Sequence, residues 1–119
     1  MVEFVEADFS VNQALTELKS PRVGAVVFFV GVVRGEVAGF KNTYAETAKA
    51  ELERLETEAR NRFGVEKTVI IPRQGVLSTG ENILLIGVSS AHRQNAFRAA
   101  EFLVDQIKQS ASIQAEELG

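Results

Sequence analysis

Ten residues, Gly24 to Val33, read "GAVVFFVGVV" and contain no charged or polar side chain. β-Branched and aromatic residues dominate the run, so it predicts a β-strand covered on both faces. It falls far short of the roughly 20 apolar residues needed to cross a bilayer. A strand of this kind requires a packed layer on each side, and helices must supply it. Gly31 inside it predicts a bulge or a close backbone approach.

The rest of the chain offers those layers. Val2 to Phe9 reads as an opening strand. Ser10 and Gln13 form a capping-box pattern before a short helix with Val11, Ala14, Leu15 and Leu18 at helical spacing. Ser20-Pro21 ends it. A short Gly-containing loop, "GEVAGFKN", follows Arg34, and Thr43 with Glu46 suggests a second capping box. Beyond it Ala48, Leu52, Leu55, Ala59 and Phe63 make one apolar stripe, the intervening charges reading as a solvated face. Gly64 suits the stop. Next come a strand in "EKTVIIPR", a turn region "QGVLSTGEN" and a second apolar strand, "ILLIGVSS". Ser90 is placed to cap a final helix from Ala91 to about Gln109, with Ala96, Ala100, Leu103, Val104 and Ile107 inward. Residues 110–119 lack a period and read as a loose tail.

This order predicts one α+β domain over residues 1–119, a mixed sheet with helices packed on it. Length agrees, since 119 residues suffice for one core and not for two ordinary ones. No basic stretch precedes an apolar core at the N-terminus, so no leader is expected. Absent cysteine excludes disulfides, thiolate metal sites and cysteine nucleophiles, and it accords with a reducing compartment, the cytoplasm. One histidine and no cysteine leave no transition-metal site. A net charge of −3 argues against a general nucleic-acid binder. No nucleotide-binding glycine loop, zinc-protease or serine-hydrolase signature is present.

What remains is a set of cations at element ends. Arg34 closes the apolar strand, His92 and Arg93 open the last helix, and Lys108 lies in its final turn. A helix N-terminus offers unpaired N–H groups and a positive dipole end, a place for a phosphate. A capping role without ligand fits His92 alone, and complementing the helix C-terminus fits Lys108 alone. His92 and Lys108 lie about 24 Å apart along a helix and face directions about 160° apart. One chain therefore cannot bring both to one small phosphate ester. A symmetric pair of chains can, twice.

The stretches "GAVVFFVGVVRG", "EARNRFGV" and "VSSAHRQNAFRAAEFLVDQIK", in that order, resemble the large, catalytic subunit of molybdopterin synthase, the MoaE family. The resemblance covers roughly residues 22 to 109, and its Ser-Ala-His-Arg stretch is the most specific part. It implies an α/β hammerhead fold and a homodimer, with a small ubiquitin-like sulfur carrier at each end and no cofactor or metal of its own. It further implies transfer of sulfur from the carrier's C-terminal thiocarboxylate to cyclic pyranopterin monophosphate, giving molybdopterin. On this resemblance Lys108 is catalytic, and Arg34, His92 and Arg93 bind the substrate anion, the His-Arg pair coming from the neighbouring protomer. Phe29 walls the pocket for the carrier tail. No nucleic acid or membrane is involved.

Several positions depart from the family pattern. A second active-site lysine is replaced by Ala115, followed by Glu116 and Glu117. The loop after Arg34 is about six residues shorter, a change that loops tolerate. Asn42 and Ala45 replace the customary Glu and Pro around Tyr44, and Pro72-Arg73 replaces His-Arg. Two further readings therefore stay open: a paralogue that keeps dimer and carrier binding without turnover, and a dimeric module for phosphorylated ligands.

Overall fold

The computed structural model describes residues 1–35, 39–110 and 113–118, with residues 39, 40 and 113–118 described by backbone alone. Helix α1 spans Val11–Leu18, and the Ser10 hydroxyl accepts a hydrogen bond from the Gln13 N–H, as the capping pattern requires. Strand β1 follows at Ala25–Val32, β2 at Gly39–Tyr44 and α2 at Ala48–Phe63. After them come β3 at Lys67–Pro72, β4 at Gly75–Leu77, β5 at Asn82–Ser90, α3 at Arg93–Lys108 and β6 at Ile113–Leu118.

Two three-stranded sheets result, ordered β1-β5-β3 and β4-β2-β6. Their ladders are antiparallel, and among the described residues parallel pairing is confined to two bridges, Val2 with Ile70 and Val5 with Arg73. Helices α2 and α3 cover one face of the first sheet, where Leu52, Ile86, Val88 and Leu103 are completely buried. On the other face α1 contributes Ala14 and Leu18, packed on Val69, Ile71 and Leu85. The α2 stripe is buried as its spacing predicts, apart from half-buried Phe63, and Gly64 ends the helix in the left-handed conformation, φ 65°. The β1–β5 register shifts between Gly31 and Val32, the irregularity that Gly31 suggests.

Several local expectations are corrected. Val2 to Phe9 forms only the two bridges, because its backbone docks on β3 at Ile70 and Pro72 without building a ladder. Thr43 belongs to β2, paired with Gln114, so Thr47 takes the N-cap of α2. Ser90 ends β5 and accepts from the His92 N–H, and His92 is the N-cap of α3. β1 is not buried on both faces: Val30 and Val32 remain 37% and 50% exposed, since α1 is too short to reach them. β4 forms inside the expected turn region. Residues 113–118 pair with β2 rather than hanging loose, because a polar strand can be held by backbone hydrogen bonds alone. The shortened loop at residues 36–38 lies outside the described residues.

Candidate functional site

The first sheet sets the distances. Its β1–β5 register runs from Ala25 opposite Ser90 at one end to Val32 opposite Asn82 at the other. Arg34 stands just past the second end, exposed at the close of β1. His92 and Arg93 stand just past the first, also exposed. Nine strand steps separate Ala25 from Arg34, roughly 30 Å at 3.3 Å per residue. α3 then runs back over the sheet, so Lys108 returns to the Arg34 end. Within one chain the four cations are split: Arg34 with Lys108, and His92 with Arg93.

At the Arg34 end the Lys108 ammonium lies 6.0 Å from the centroid of the Phe29 ring. Phe29 occupies the β1 face that packs on α3, which explains the approach. Lys108 also lines a cavity of about 250 Å³ together with Asn42, Tyr44, Ile83, Leu84, Ile107 and Ser110. Period-two alternation puts Asn42 and Tyr44 on one face of β2, directed at this space. Asn42 is 3% exposed, and its Nδ2 donates to the Arg73 carbonyl at 3.3 Å. The Tyr44 ring packs against Phe4 with centroids 5.0 Å apart. Burial pushes the Tyr44 hydroxyl up to about 12, so it stays protonated and can donate a hydrogen bond across the neutral range. Asn42, Tyr44 and Ser110 are the polar lining residues that sequence reasoning did not assign to a site. The alternation of "NTY", and the departure from the family pattern at Asn42 beside Tyr44, were the signals for the first two.

At the other end, His92 caps α3 with extended backbone, φ −126° and ψ 137°, and its side chain makes no capping bond. His92 and Arg93 thus stand at the first turn of α3, whose leading N–H groups have no helical partners. Among the described residues no carboxylate forms an ion pair with Arg34, His92, Arg93 or Lys108. Arg73 behaves differently. It is 7% exposed, donates to the carbonyls of Glu6 and Asn82, and lies 3.5 Å from Glu81. It is a structural tie among three segments. Ala115 pairs through its backbone with Asn42, and its side chain lies outside the described residues.

Two further cavities, of about 230 and 280 Å³, flank the N-terminal segment and contain none of the four cations. The described residues contain no cluster able to hold a metal ion, and no described helix is long and apolar enough to cross a membrane.

Comparison with known proteins bears on this arrangement. The model of the MoaE protein family matches residues 4–110. A molybdopterin synthase catalytic subunit from Pyrococcus abyssi is 36% identical over 117 residues, covering 93% of this chain and 79% of that one. The Mesorhizobium japonicum protein of the same name is 39% identical over 116 residues, covering 92% and 73%. The crystal structure of molybdopterin synthase from Staphylococcus aureus superposes with a TM-score of 0.92 at 28% identity, covering 98% of this chain and 89% of that chain. The split cations, the Lys108 cavity and these matches lead to one conclusion: the chain belongs to the MoaE family.

Proposed function

We propose that two copies of this chain form the catalytic dimer of a molybdopterin synthase in the cytoplasm. A thiocarboxylated ubiquitin-like carrier would dock at each end, and sulfur would pass to cyclic pyranopterin monophosphate. The observation that carries the reading is the placement of Lys108, which lines a cavity, approaches the Phe29 ring and stands at the sheet end where Arg34 lies. A cavity lined by one ammonium, three neutral polar side chains and three aliphatic ones suits an extended, small-residue tail ending in an anion. Phe29 gives that tail an apolar wall, and the ammonium attracts its terminal group.

Arg34, with His92 and Arg93 from the other copy, holds the substrate phosphate through charge-assisted hydrogen bonds. Lys108 stabilises negative charge as sulfur is transferred, or moves a proton. Tyr44 and Asn42 supply neutral polar contacts beside it.

The test is conversion of the cyclic pterin by the purified chain with a thiocarboxylated carrier whose competence is checked with another large subunit. Turnover is expected, and Lys108→Ala abolishes it. No turnover by the unaltered chain refutes the reading. Mixing Arg34→Ala with Arg93→Ala copies, each inactive alone, restores activity at about a quarter of the sites if the pocket is shared between copies. One observation favours a second reading, carrier binding without turnover: Ala115 stands where a second lysine is customary. Calorimetric titration with the carrier separates the two, since binding without conversion supports it.

A further inference from the structure

The polar groups that line the cavity beside Lys108 differ in whether they already have partners. Asn42 donates through Nδ2 to the Arg73 carbonyl and sits within the wall, 3% exposed. The Ser110 hydroxyl donates to Glu51 Oε1 at 2.7 Å, tying the end of α3 to α2. The Lys108 ammonium has no carboxylate partner among the described residues. The Tyr44 hydroxyl has no hydrogen-bond partner among them either. Two donors therefore remain for an occupant, one charged and one neutral.

Tyr44 is the less expected of the two. Tyrosines withdrawn from water generally pair their hydroxyl, because an unmade hydrogen bond is costly. Here the ring is fixed instead by Phe4, with centroids 5.0 Å apart and planes inclined at 51°. Burial raises the hydroxyl to about 12, so it does not become a phenolate near neutrality and does not repel an incoming anion. A fixed, protonated, unpaired phenol and a free ammonium in one cavity match a terminal group with two acceptor atoms and one negative charge.

We propose that the Tyr44 hydroxyl is the orienting donor of this cavity: it gives its hydrogen bond to the oxygen of a thiocarboxylate-ended tail and leaves the sulfur turned toward Lys108 and the Arg34 end. The inference rests on the reading above for the occupant and adds the residue that sets its orientation. The two donors divide the task by their chemistry. An ammonium is a compact point charge and attracts either acceptor atom. A phenol has one directional O–H, and oxygen is a much better acceptor than sulfur. Oxygen therefore goes to Tyr44, and sulfur faces the end of the sheet where the cations stand. Without the hydroxyl, oxygen turns to the ammonium instead, and the sulfur points away from the pterin.

The chain contains one tyrosine and no tryptophan, so biosynthetic 3-fluorotyrosine labels this position alone. Fluorine NMR of the labelled full chain is recorded with the thiocarboxylated carrier and with the same carrier lacking its last two residues. The intact tail is expected to shift the resonance, and the truncated carrier to leave it in place. In the conversion assay Tyr44→Phe, which keeps the ring on Phe4, is expected to lower kcat by about 10- to 100-fold, the range for one hydrogen bond to a charged group. KM for carrier and for pterin should stay within about twofold, because orientation rather than affinity is lost. A resonance that responds equally to both carriers overturns the proposal, as does a Tyr44→Phe kcat within about twofold of the parent. A fall in kcat that follows a fall in melting temperature marks a scaffold residue and overturns it too. If the unaltered chain turns nothing over while the intact tail still shifts the resonance, the contact stands and the catalytic reading falls. Turnover untouched by Tyr44→Phe does the reverse.

Discussion

The two sheets of this molecule are held together differently. In β1-β5-β3, helices press on both faces, and side chains such as Ile86 and Leu85 are wholly removed from water. In β4-β2-β6 the strands are short and largely polar in sequence, and the described interior contacts are few: Leu77, Asn42 and the Tyr44–Phe4 ring pair. The first sheet derives its stability from apolar burial, the second from backbone pairing and from its position against the first. The comparison teaches a division of labour. The well-packed sheet fixes where the cations stand, and the lightly packed one closes the cavity around Lys108.

Substitutions can break or sharpen that contrast. The largest effect is expected at the junction of the sheets. Lys108→Ala should lower conversion by about 10²- to 10⁴-fold, the range for a lost charge-stabilising or proton-transfer group, with little change in melting temperature. A comparable loss of stability would mean that Lys108 is a scaffold residue and would erase the distinction. Next, Ile86→Ala in the first sheet should cost about 3 kcal/mol in denaturant unfolding, because it empties a site with no solvent contact. A cost below about 1 kcal/mol would show that this core is not what holds the domain.

Tyr44 probes the second sheet. Its hydroxyl titrates near 12 when folded against about 10 when unfolded, so the folded state holds the proton more tightly. The associated stability, of the order of 2 kcal/mol, is fully present below pH 10 and is lost as pH rises toward 12. Tyr44→Phe should flatten that alkaline decline, and an unchanged decline would place the titrating group elsewhere. The smallest expected effect is at the cap of α1. Ser10→Ala removes the acceptor for the Gln13 N–H and should cost about 1 kcal/mol without affecting conversion.

The same contrast governs what could be read in advance. β1, β5, α2 and α3 follow from periodicity because their environments are uniform: apolar on the buried side and, for α2, charged on the other. β2, β4 and β6 escape because "FKNTY", "GVL" and "IQAEEL" carry no period strong enough to distinguish a strand from a loop. Their pairing is a backbone property between segments far apart in sequence. The misplaced start of α2 has the same origin, since Thr43 was needed for a ladder that local sequence does not announce. Arg34, His92, Arg93 and Lys108 were legible as cations at element ends, whereas Asn42, Tyr44 and Ser110 joined the site only through the second sheet.

The sequence by itself determined the family, the elements of the main sheet and the impossibility of one helix carrying His92 and Lys108 to a common ligand, because helical rise and periodicity are local quantities. Tertiary structure alone decided that Arg34 shares an end with Lys108, that a half-buried tyrosine lines the cavity beside Lys108, and that among the described residues one edge of β1 has no partner. Each of those depends on which distant segments pair, and strand pairing is settled by the packing of the whole chain rather than by any short stretch of it.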